Sequence, residues 1–496
     1  MNHRRIRTSW LQKDRNGLAL LGLGILLLTA CTTVPKAPAS PVLEINRHRP
    51  AATIPHNAAP LHRRTRKNAQ QATTSVRSAT PSSAQAGLHG GLDWRGWQGL
   101  HYEGSAQHPR DWKWTDDEKE PSFPSIFLDR LTMKGKVGAR VDLDAAAFAP
   151  ADGLGPVAND VQVRRWRVYT TGDAIVVVPF SYTLSVVAVA NNNFVLDDTF
   201  LEFKRIPYLG TFKVGAFIPR MGLETSASSR EATFMEWSSA VEALGPRISI
   251  GGQFSRPVFR ERATWSLGVF TQSLGADVGD ATKSFVRAIG RATWLPFYEV
   301  PDPTSGSQRL LHVGLNANFL RSDDATIRYQ TRPESRMAPL LANTGDIPAK
   351  DMGSYGLEVA WLDGPWSFQG EYLSNYVTGA TGQNFYGFYA YGSYFFTGES
   401  RHYDTTTGFF ARLKPRQDFS FSGSGLGAVE AALRFSYVDL SDGPVKGGIL
   451  RSLTAGLNWY LHANSKLRFN YVFASASGGP VVGDLNVFET RFEFDF

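Results

Sequence analysis

Leu485-Asn486-Val487-Phe488-Glu489-Thr490-Arg491-Phe492-Glu493-Phe494-Asp495-Phe496 is the stretch whose reading decides the fold. Phe488, Phe492, Phe494 and Phe496 share one face with Asn486 and Thr490, whereas Glu489, Arg491, Glu493 and Asp495 share the other. Successive side chains of a strand point to opposite faces, so this is a strand with an aromatic side and a charged side. Leu131–Ala145 repeats the pattern: odd positions read Leu, Met, Gly, Val, Ala, Val, Leu, Ala, while Lys134, Lys136, Arg140, Asp142 and Asp144 fall on even ones. Around Leu467–Phe473, the residues Leu467, Phe469, Tyr471 and Phe473 alternate with Arg468 and Asn470. A soluble sandwich uses the same alternation with its apolar face inward. Recurrence of the pattern from about residue 130 to an aromatic ending selects the transmembrane antiparallel β-barrel instead.

Sixteen strands are expected, starting near Leu131, Asp160, Ala174, Phe194, Leu209, Gly245, Ala263, Phe285, Leu311, Gly353, Trp366, Asn384, Gly427, Ile449, Leu467 and Leu485. An even number closes an antiparallel sheet with both ends on one side, and sixteen strands leave an aqueous lumen. With the first strand running outward, the short links Thr171-Gly172-Asp173, Ile206-Pro207-Tyr208, Asp363-Gly364-Pro365 and His462-Ala463-Asn464-Ser465 fall on the periplasmic side. Thr397–Leu426 is long where a turn belongs, so it is either a structured periplasmic excursion or a sign of wrong register.

The chain upstream has a different character. Arg4, Arg5, Arg7, Lys13 and Arg15 precede an apolar stretch from Leu18 to Leu28, which reads as an export signal over residues 1–30. Leu28-Thr29-Ala30-Cys31 resembles a bacterial lipobox, with Cys31 as the lipidated residue; ordinary cleavage nearby is the alternative. As the one cysteine, Cys31 permits no disulfide framework within the chain. Residues 31–90 read as a disordered basic arm, whose Arg63-Arg64-Thr65-Arg66-Lys67 either contacts lipid phosphate or lipopolysaccharide or only keeps the arm extended. Residues 91–129, with Trp94, Trp97, Trp112 and Trp114, show no clean period and read as an irregular, aromatic-rich periplasmic segment ahead of a barrel at 130–496.

The formal charge of +7 belongs to the first ninety residues. They hold thirteen Lys/Arg and two Asp/Glu, leaving 39 basic against 43 acidic residues beyond them, so nothing points to nucleic acid. Outside the N-terminus no apolar run approaches the ~20 residues of a spanning helix. An enzyme is disfavoured: H-E-x-x-H and G-x-S-x-G are missing, and five of the ten His precede residue 90. Neither a metal site nor a cofactor is indicated. Asp116-Asp117-Glu118 reads as a solvated acidic run, and Gly423-Ser424-Gly425-Leu426-Gly427 as a flexible turn. A barrel that merely anchors a periplasmic arm is the other reading; it would not conduct.

Particular stretches resemble the porin O/P family, the phosphate- and polyphosphate-selective outer-membrane porins. They are Val163-Arg164-Arg165-Trp166-Arg167, the run Gly210–Pro219, Phe234-Met235-Glu236, the run Tyr329–Ser335, Gly364-Pro365-Trp366 with Gly370-Glu371-Tyr372, Thr397-Gly398-Glu399-Ser400-Arg401, Gly427-Ala428-Val429-Glu430, Gly456-Leu457-Asn458-Trp459-Tyr460 and the final Phe494-Asp495-Phe496. The resemblance implies a homotrimer in the bacterial outer membrane, among lipid and lipopolysaccharide, with the last aromatic read by the barrel assembly machinery. It also implies a third outer loop, here Arg220–Leu244, folded inward as the constriction, and basic side chains that bind phosphate or other small anions. Alternation places Lys134, Lys136, Arg140, Arg165, Arg167, Lys204, Lys213, Arg247, Arg287, Arg291, Arg434, Arg468 and Arg491 on the lumen face. It also places Asp142, Asp144, Asp198, Glu202, Glu358, Glu371, Glu430, Glu489, Glu493 and Asp495 there, so the balance is only slightly basic. Arg165, Arg167 and Lys213, with Arg220 and Arg230 on the loop, are expected nearest the narrowest part. Lys134, Lys136, Arg140, Lys204 and Arg247 are expected along the pore. A general diffusion porin is the competing function.

Overall fold

The structure, a computed structural model, describes residues 100–105, 113–115, 132–151, 153–175, 178–189, 193–273, 285–301, 306–323, 326–379, 381–423 and 425–496, all within the unit Gly87–Phe496. The expected export signal, lipidation site, basic arm and acidic run lie outside the described residues.

Sixteen strands form the wall. They are β1 (Thr132–Pro150), β2 (Asp160–Ile175), β3 (Pro179–Val189), β4 in two pieces (Asn193–Leu196 and Thr199–Ile206), β5 (Gly210–Phe217), β6 (Ser249–Val258), β7 (Ala263–Ser273) and β8 (Phe285–Glu299). The second half comprises β9 (Arg309–Ser322), β10 (Ile347–Asp363), β11 (Trp366–Gly379), β12 (Gln383–Phe395), β13 (Ala428–Asp442), β14 (Val445–His462), β15 (Ser465–Ser477) and β16 (Gly483–Asp495). Each pairs antiparallel with the next, and β16 closes on β1 with Asp495 opposite Arg140 and Leu485 opposite Pro150. A bilayer offers no water to an unpaired N–H or C=O, so this closed ladder is what allows the chain to span it.

The alternation read from the sequence holds, and it is inverted relative to a soluble protein. Leu143, Leu267, Leu315, Leu357, Leu433, Tyr471, Phe488 and Phe492 are exposed on the outer face, whereas Arg140, Asp144, Arg434, Arg468, Glu489 and Arg491 are buried on the inner one. An aromatic row, Tyr355–Tyr372–Tyr386–Tyr437, runs across β10 to β13 with ring centroids 6.1, 6.4 and 5.8 Å apart. Such rows belong where a barrel meets the interfacial layer of the bilayer.

Most strands begin within a few residues of expectation, but the first short link is displaced. Thr171-Gly172-Asp173 is not a turn: these residues pair with Thr183, Tyr182 and Ser181 inside β2 and β3, and β2 continues to Ile175. Gly172 is there for closeness, since a Cβ would run into the backbone of Lys134 and Gly135 on β1. Ile347, not Gly353, opens β10, and β6 opens at Ser249 because Gly245 caps a helix. The long link after β12 is a structured excursion, with a small hairpin of His402–Asp404 and Phe409–Ala411, and the strand register on either side of it is intact.

Ordered structure also enters the stretch expected to be irregular. Leu100–Ser105 pairs antiparallel with β1, Leu100 opposite Val137 and Ser105 opposite Thr132, and Lys113–Thr115 pairs with it in turn. β16 ends beside Ala139, so Leu100–Ser105 takes up the edge of β1 that the shorter β16 leaves over. An uncovered edge is a template for wrong pairing, which explains why a segment without clean alternation becomes a strand.

Candidate functional site

The β5–β6 connection is the longest outer link, and it turns inward as expected of Arg220–Leu244. It carries two short helices, α1 (Leu223–Ser226) and α2 (Ser239–Leu244), and its Met221, Leu223, Phe234, Met235 and Val241 are buried. Ser238 caps α2 by accepting from the Val241 N–H. The wall holds the loop by its backbone. Arg434 donates to the Glu236 carbonyl (3.2 Å), Arg491 to that of Met235 (2.7 Å), Arg468 to those of Phe234 (3.0 Å) and Ser229 (3.1 Å), and Asn458 to that of Thr233 (2.8 Å). Lys466 reaches the Arg230 carbonyl, and Asn375 that of Leu244 at 3.2 Å. These carbonyls are the orphan acceptors of an irregular segment, and cationic donors satisfy them strongly.

The wall carboxylates are largely consumed in ion pairs. Asp144 binds Arg491 (2.7 Å), Glu358 binds Arg291 (2.6 Å), and Glu493 takes Arg140 (2.8 Å), Lys466 (3.3 Å) and Arg468 (3.4 Å). Arg140 is also on Asp142 (2.8 Å), so it acts as a wall strut. Arg434 joins Glu334 (2.6 Å) to Glu224 (3.0 Å) and thereby ties the β9–β10 connection to the β5–β6 loop. Glu334 holds a left-handed backbone, φ 55°, in which only a strongly fixed non-glycine residue persists.

Of the residues expected nearest the constriction, Arg165 lies beside Asp142 (3.1 Å) and the Ser229 hydroxyl (3.0 Å), which brings β2 against the loop. Arg167 pairs with Asp197 and stands 3.8 Å from Asp198. Lys213 is 3.9 Å from Glu202 and 3.8 Å above the Phe200 ring. Arg230 is 3.2 Å from Asp495, which it shares with Arg412. Arg220 has no carboxylate within 4 Å among the described residues; its guanidinium sits 5.3 Å from the Phe409 ring. Burial lowers its pKa and nearby Arg291 pushes the same way, against Glu202 and Asp404 acting through space. Lys136 lines a cavity of about 190 Å³ with Tyr169, Arg230, Arg412, Asp495 and Phe496. Lys134 lies on the same strand as Lys136, and Lys204 is exposed near the end of β4. Arg247 is off the strands, on the return of the loop, donating to the Glu242 carbonyl and lying over Trp237.

Strict alternation missed Arg164. The register slips by one residue between Asp142 and Leu143, where Arg165 and Val163 are their partners. This bulge turns both Arg164 and Arg165 inward while Val163 and Trp166, each 57% exposed, stay outside. Arg164 grips the Glu236 carboxylate at 2.9 and 3.0 Å, and Arg491 holds it from the other side at 2.7 Å. Burial opposes the charge on Glu236, but the two guanidiniums outweigh it and hold its pKa well below the ordinary carboxylate value. The second feature missed is where the expected β12–β13 excursion packs. It packs on lumen-facing side chains: Tyr403 meets His312 (2.7 Å), Arg291 donates to the Gly408 carbonyl (2.9 Å), and Gln308 bonds both backbone groups of Tyr403 (3.2 and 2.6 Å).

An inverted sixteen-strand barrel whose loop is drawn inside by rows of arginine matches what is known of one group of proteins. A family model for phosphate-selective porin O and P matches residues 136–496. The chain belongs to the phosphate-selective porin O and P family. It is an outer-membrane porin, a channel for small anionic solutes in the bacterial outer membrane. Porin O of Pseudomonas aeruginosa is 26% identical over 412 residues, 73% of this chain and 88% of that one. An uncharacterized protein of Caulobacter vibrioides is 28% identical over 413 residues, 76% and 79% of the two chains. Among solved structures, an anion-selective porin from Comamonas acidovorans matches 73% of this porin and 100% of its own chain, at 12% identity and a TM-score of 0.46. In-vitro folded OmpT of Vibrio cholerae, in its trimer form, matches 73% and 99%, at 8% identity and 0.44.

Proposed function

We propose that this porin selects phosphate, passing it along Arg165, Arg167, Lys213, Arg220 and Arg230, and that it acts as a passive channel without catalysis. The observation that carries the reading is the state of Arg220. Nearly balanced charge counts hide an uneven distribution, because most of the wall acids lie within 4 Å of a cation while a guanidinium on the inward loop has no paired carboxylate. In a narrow, low-dielectric lumen such a cation attracts an oxyanion far more than it does in bulk water, and its planar fork suits phosphate oxygens. Arg164, gripped through two bonds by the Glu236 carboxylate of the loop, holds that loop in place. The lipid-facing surface, the family and Phe496 support a homotrimer among lipid and lipopolysaccharide, inserted by the barrel assembly machinery.

The test is reversal potential across a salt gradient for channels in a planar bilayer, with phosphate added against chloride current. Wild type prefers anions and is blocked by millimolar phosphate. Arg165→Glu with Arg167→Glu reverses or greatly weakens the preference while heat-modifiable barrels still form. A wild-type pore that prefers cations or ignores phosphate returns the reading to general diffusion.

A further inference from the structure

We propose that the second half of the β12–β13 connection, residues 419–426, is a membrane anchor: it lies on the outer face of the barrel and docks into the headgroup layer of the periplasmic leaflet, with phospholipid as its partner. Such an anchor is independent of what the pore conducts.

The connection has two parts of opposite character. Its hairpin, His402–Asp404 with Phe409–Ala411, packs on lumen-facing side chains, and the stretch after it carries Arg412, Lys414, Arg416 and Asp418. From Phe419 to Val429 there is no charged residue. Here the chain lies on the outside of the wall. Phe419 packs on Trp459 with ring centroids 5.0 Å apart, and the Trp459 indole donates to the Leu426 carbonyl at 2.7 Å. Trp459 stands near the periplasmic end of β14, on the face that exposes Leu453 and Leu457 to lipid. Phe421 meets Phe419 edge-on at 4.9 Å and is 98% exposed, and Leu426 is 68% exposed.

Continuity with the lipid-facing wall identifies the partner. Trp366, Tyr394 and Phe396 form an outward row at the periplasmic ends of β11 and β12, with centroids 4.4 and 5.4 Å apart, and Trp459 resumes the row on β14. Between them β13 offers only Val429, opposite Trp459, and Ala431, opposite Tyr394. Phe419 and Phe421 supply the rings that β13 lacks, and aromatic rings favour the bilayer interface. The turn also satisfies its own polar groups, as a segment at the lipid boundary must. The Phe419 N–H donates to the Leu461 carbonyl (2.8 Å), the Ser420 N–H to that of Gly425 (3.0 Å) and the Gly423 N–H to that of Ser420 (3.0 Å), while the Ser420 and Ser422 hydroxyls bond each other (2.7 Å). In water the Phe421 ring and Leu426 would stay bare; between headgroups they exchange water for acyl chains.

The experiment places one spin label at a time on the full porin, in vesicles of phosphatidylethanolamine and phosphatidylglycerol. Cys31 is the one cysteine, so Cys31→Ala provides the background. Collisions with oxygen, which concentrates in the bilayer, are compared with those of a nickel chelate, which stays in water. Labels at Phe421→Cys and at Leu426→Cys should favour oxygen and lie about 5–10 Å below the lipid phosphates. Leu315→Cys, on the lipid-facing wall, and Thr406→Cys, on the exposed tip of the lumen hairpin, mark the hydrocarbon and the water. Heat-modifiable mobility shows that each barrel has formed, and either of the two anchor positions decides by itself. Labels there as open to the nickel chelate as the label at Thr406→Cys overturn the anchor. Dipolar broadening that vanishes on dilution with unlabelled porin overturns it as well, because the partner is then a second copy of the chain.

Discussion

Arg434→Met tests whether charge on the wall keeps the constriction in place. Arg434 is fully buried, lies 4.2 Å above the Phe234 ring, donates to Glu334 at 2.6 and 3.0 Å and to Glu224 at 3.0 Å, and reaches the Glu236 carbonyl twice at 3.2 Å. Methionine fills much of the volume but leaves two buried carboxylates facing each other without their cation. Removing one partner of a buried ion pair costs about 3–5 kcal/mol. The loss is moderated because Ser238 still donates to Glu224, and Thr454 and Ser436 to Glu334. It falls on the seating of two loops and spares the strand ladder, whose backbone bonds are untouched. At 1.4 kcal/mol per factor of ten, the seated state loses about two to three and a half powers of ten against the released one.

Single-channel recording in a planar bilayer is the assay, with heat-modifiable mobility to establish that the barrel has formed. The variant should show larger, flickering conductance and weak phosphate block. The pH dependence has a definite sign. Burial raises the pKa of Glu224, and Arg434 pulls it down; without the arginine it rises further. A carboxyl with a raised native pKa supports the seated loop below that pKa and disfavours it above, so the variant should quieten as pH falls and flicker at neutral pH. Adding Glu224→Gln and Glu334→Gln removes the stranded charges and should restore much of the seating. A folded Arg434→Met channel with wild-type conductance, noise and block would refute the reasoning, as would noise indifferent to pH.

Three further outcomes are expected. Deleting Phe496 removes the residue that exchanges backbone bonds with Ala139 (3.2 and 3.0 Å) and receives the Tyr169 hydroxyl at 3.0 Å, so heat-modifiable barrels should fall well below the wild-type amount on gels. Gly172→Val forces a side chain into the backbone of β1 and should lower barrel yield more than the same change at Gly353, where a Cβ meets nothing within 4 Å; equal yields would contradict the close-approach reading. Cys31→Ala should abolish acyl labelling and alter processing, and a mature chain starting beyond Cys31 without an acyl group would exclude lipidation.

The parts of this molecule that were legible beforehand are those set by local alternation. Leu485–Phe496 and Leu131–Ala145 each reveal their two faces because a one-residue shift would put charges in lipid, which pins register strongly. The even strand count follows from that, whereas the inward fold of Arg220–Leu244 was legible only through the resemblance to the porin O/P family. Gly172 was misread because a glycine beside Asp looks like a turn, and only the pairing of β2 with β1 shows that it allows close approach. Arg164 was missed because a bulge breaks period two at one point, and nothing in Val163-Arg164-Arg165-Trp166-Arg167 says where two consecutive arginines turn the same way. The ion pairs were hidden for a different reason: Arg491 and Asp144 are 347 residues apart, and Arg140 and Glu493 353, because such partners meet only across the closed seam. A tally of lumen charges therefore gave near balance, and the useful quantity was which cations have their acid within reach. Arg140, Arg291, Arg434 and Arg491 do, and they build the wall. Arg220 does not, and its guanidinium lies against Phe409 of the β12–β13 hairpin, so the inward loop keeps a cation that an anion can use.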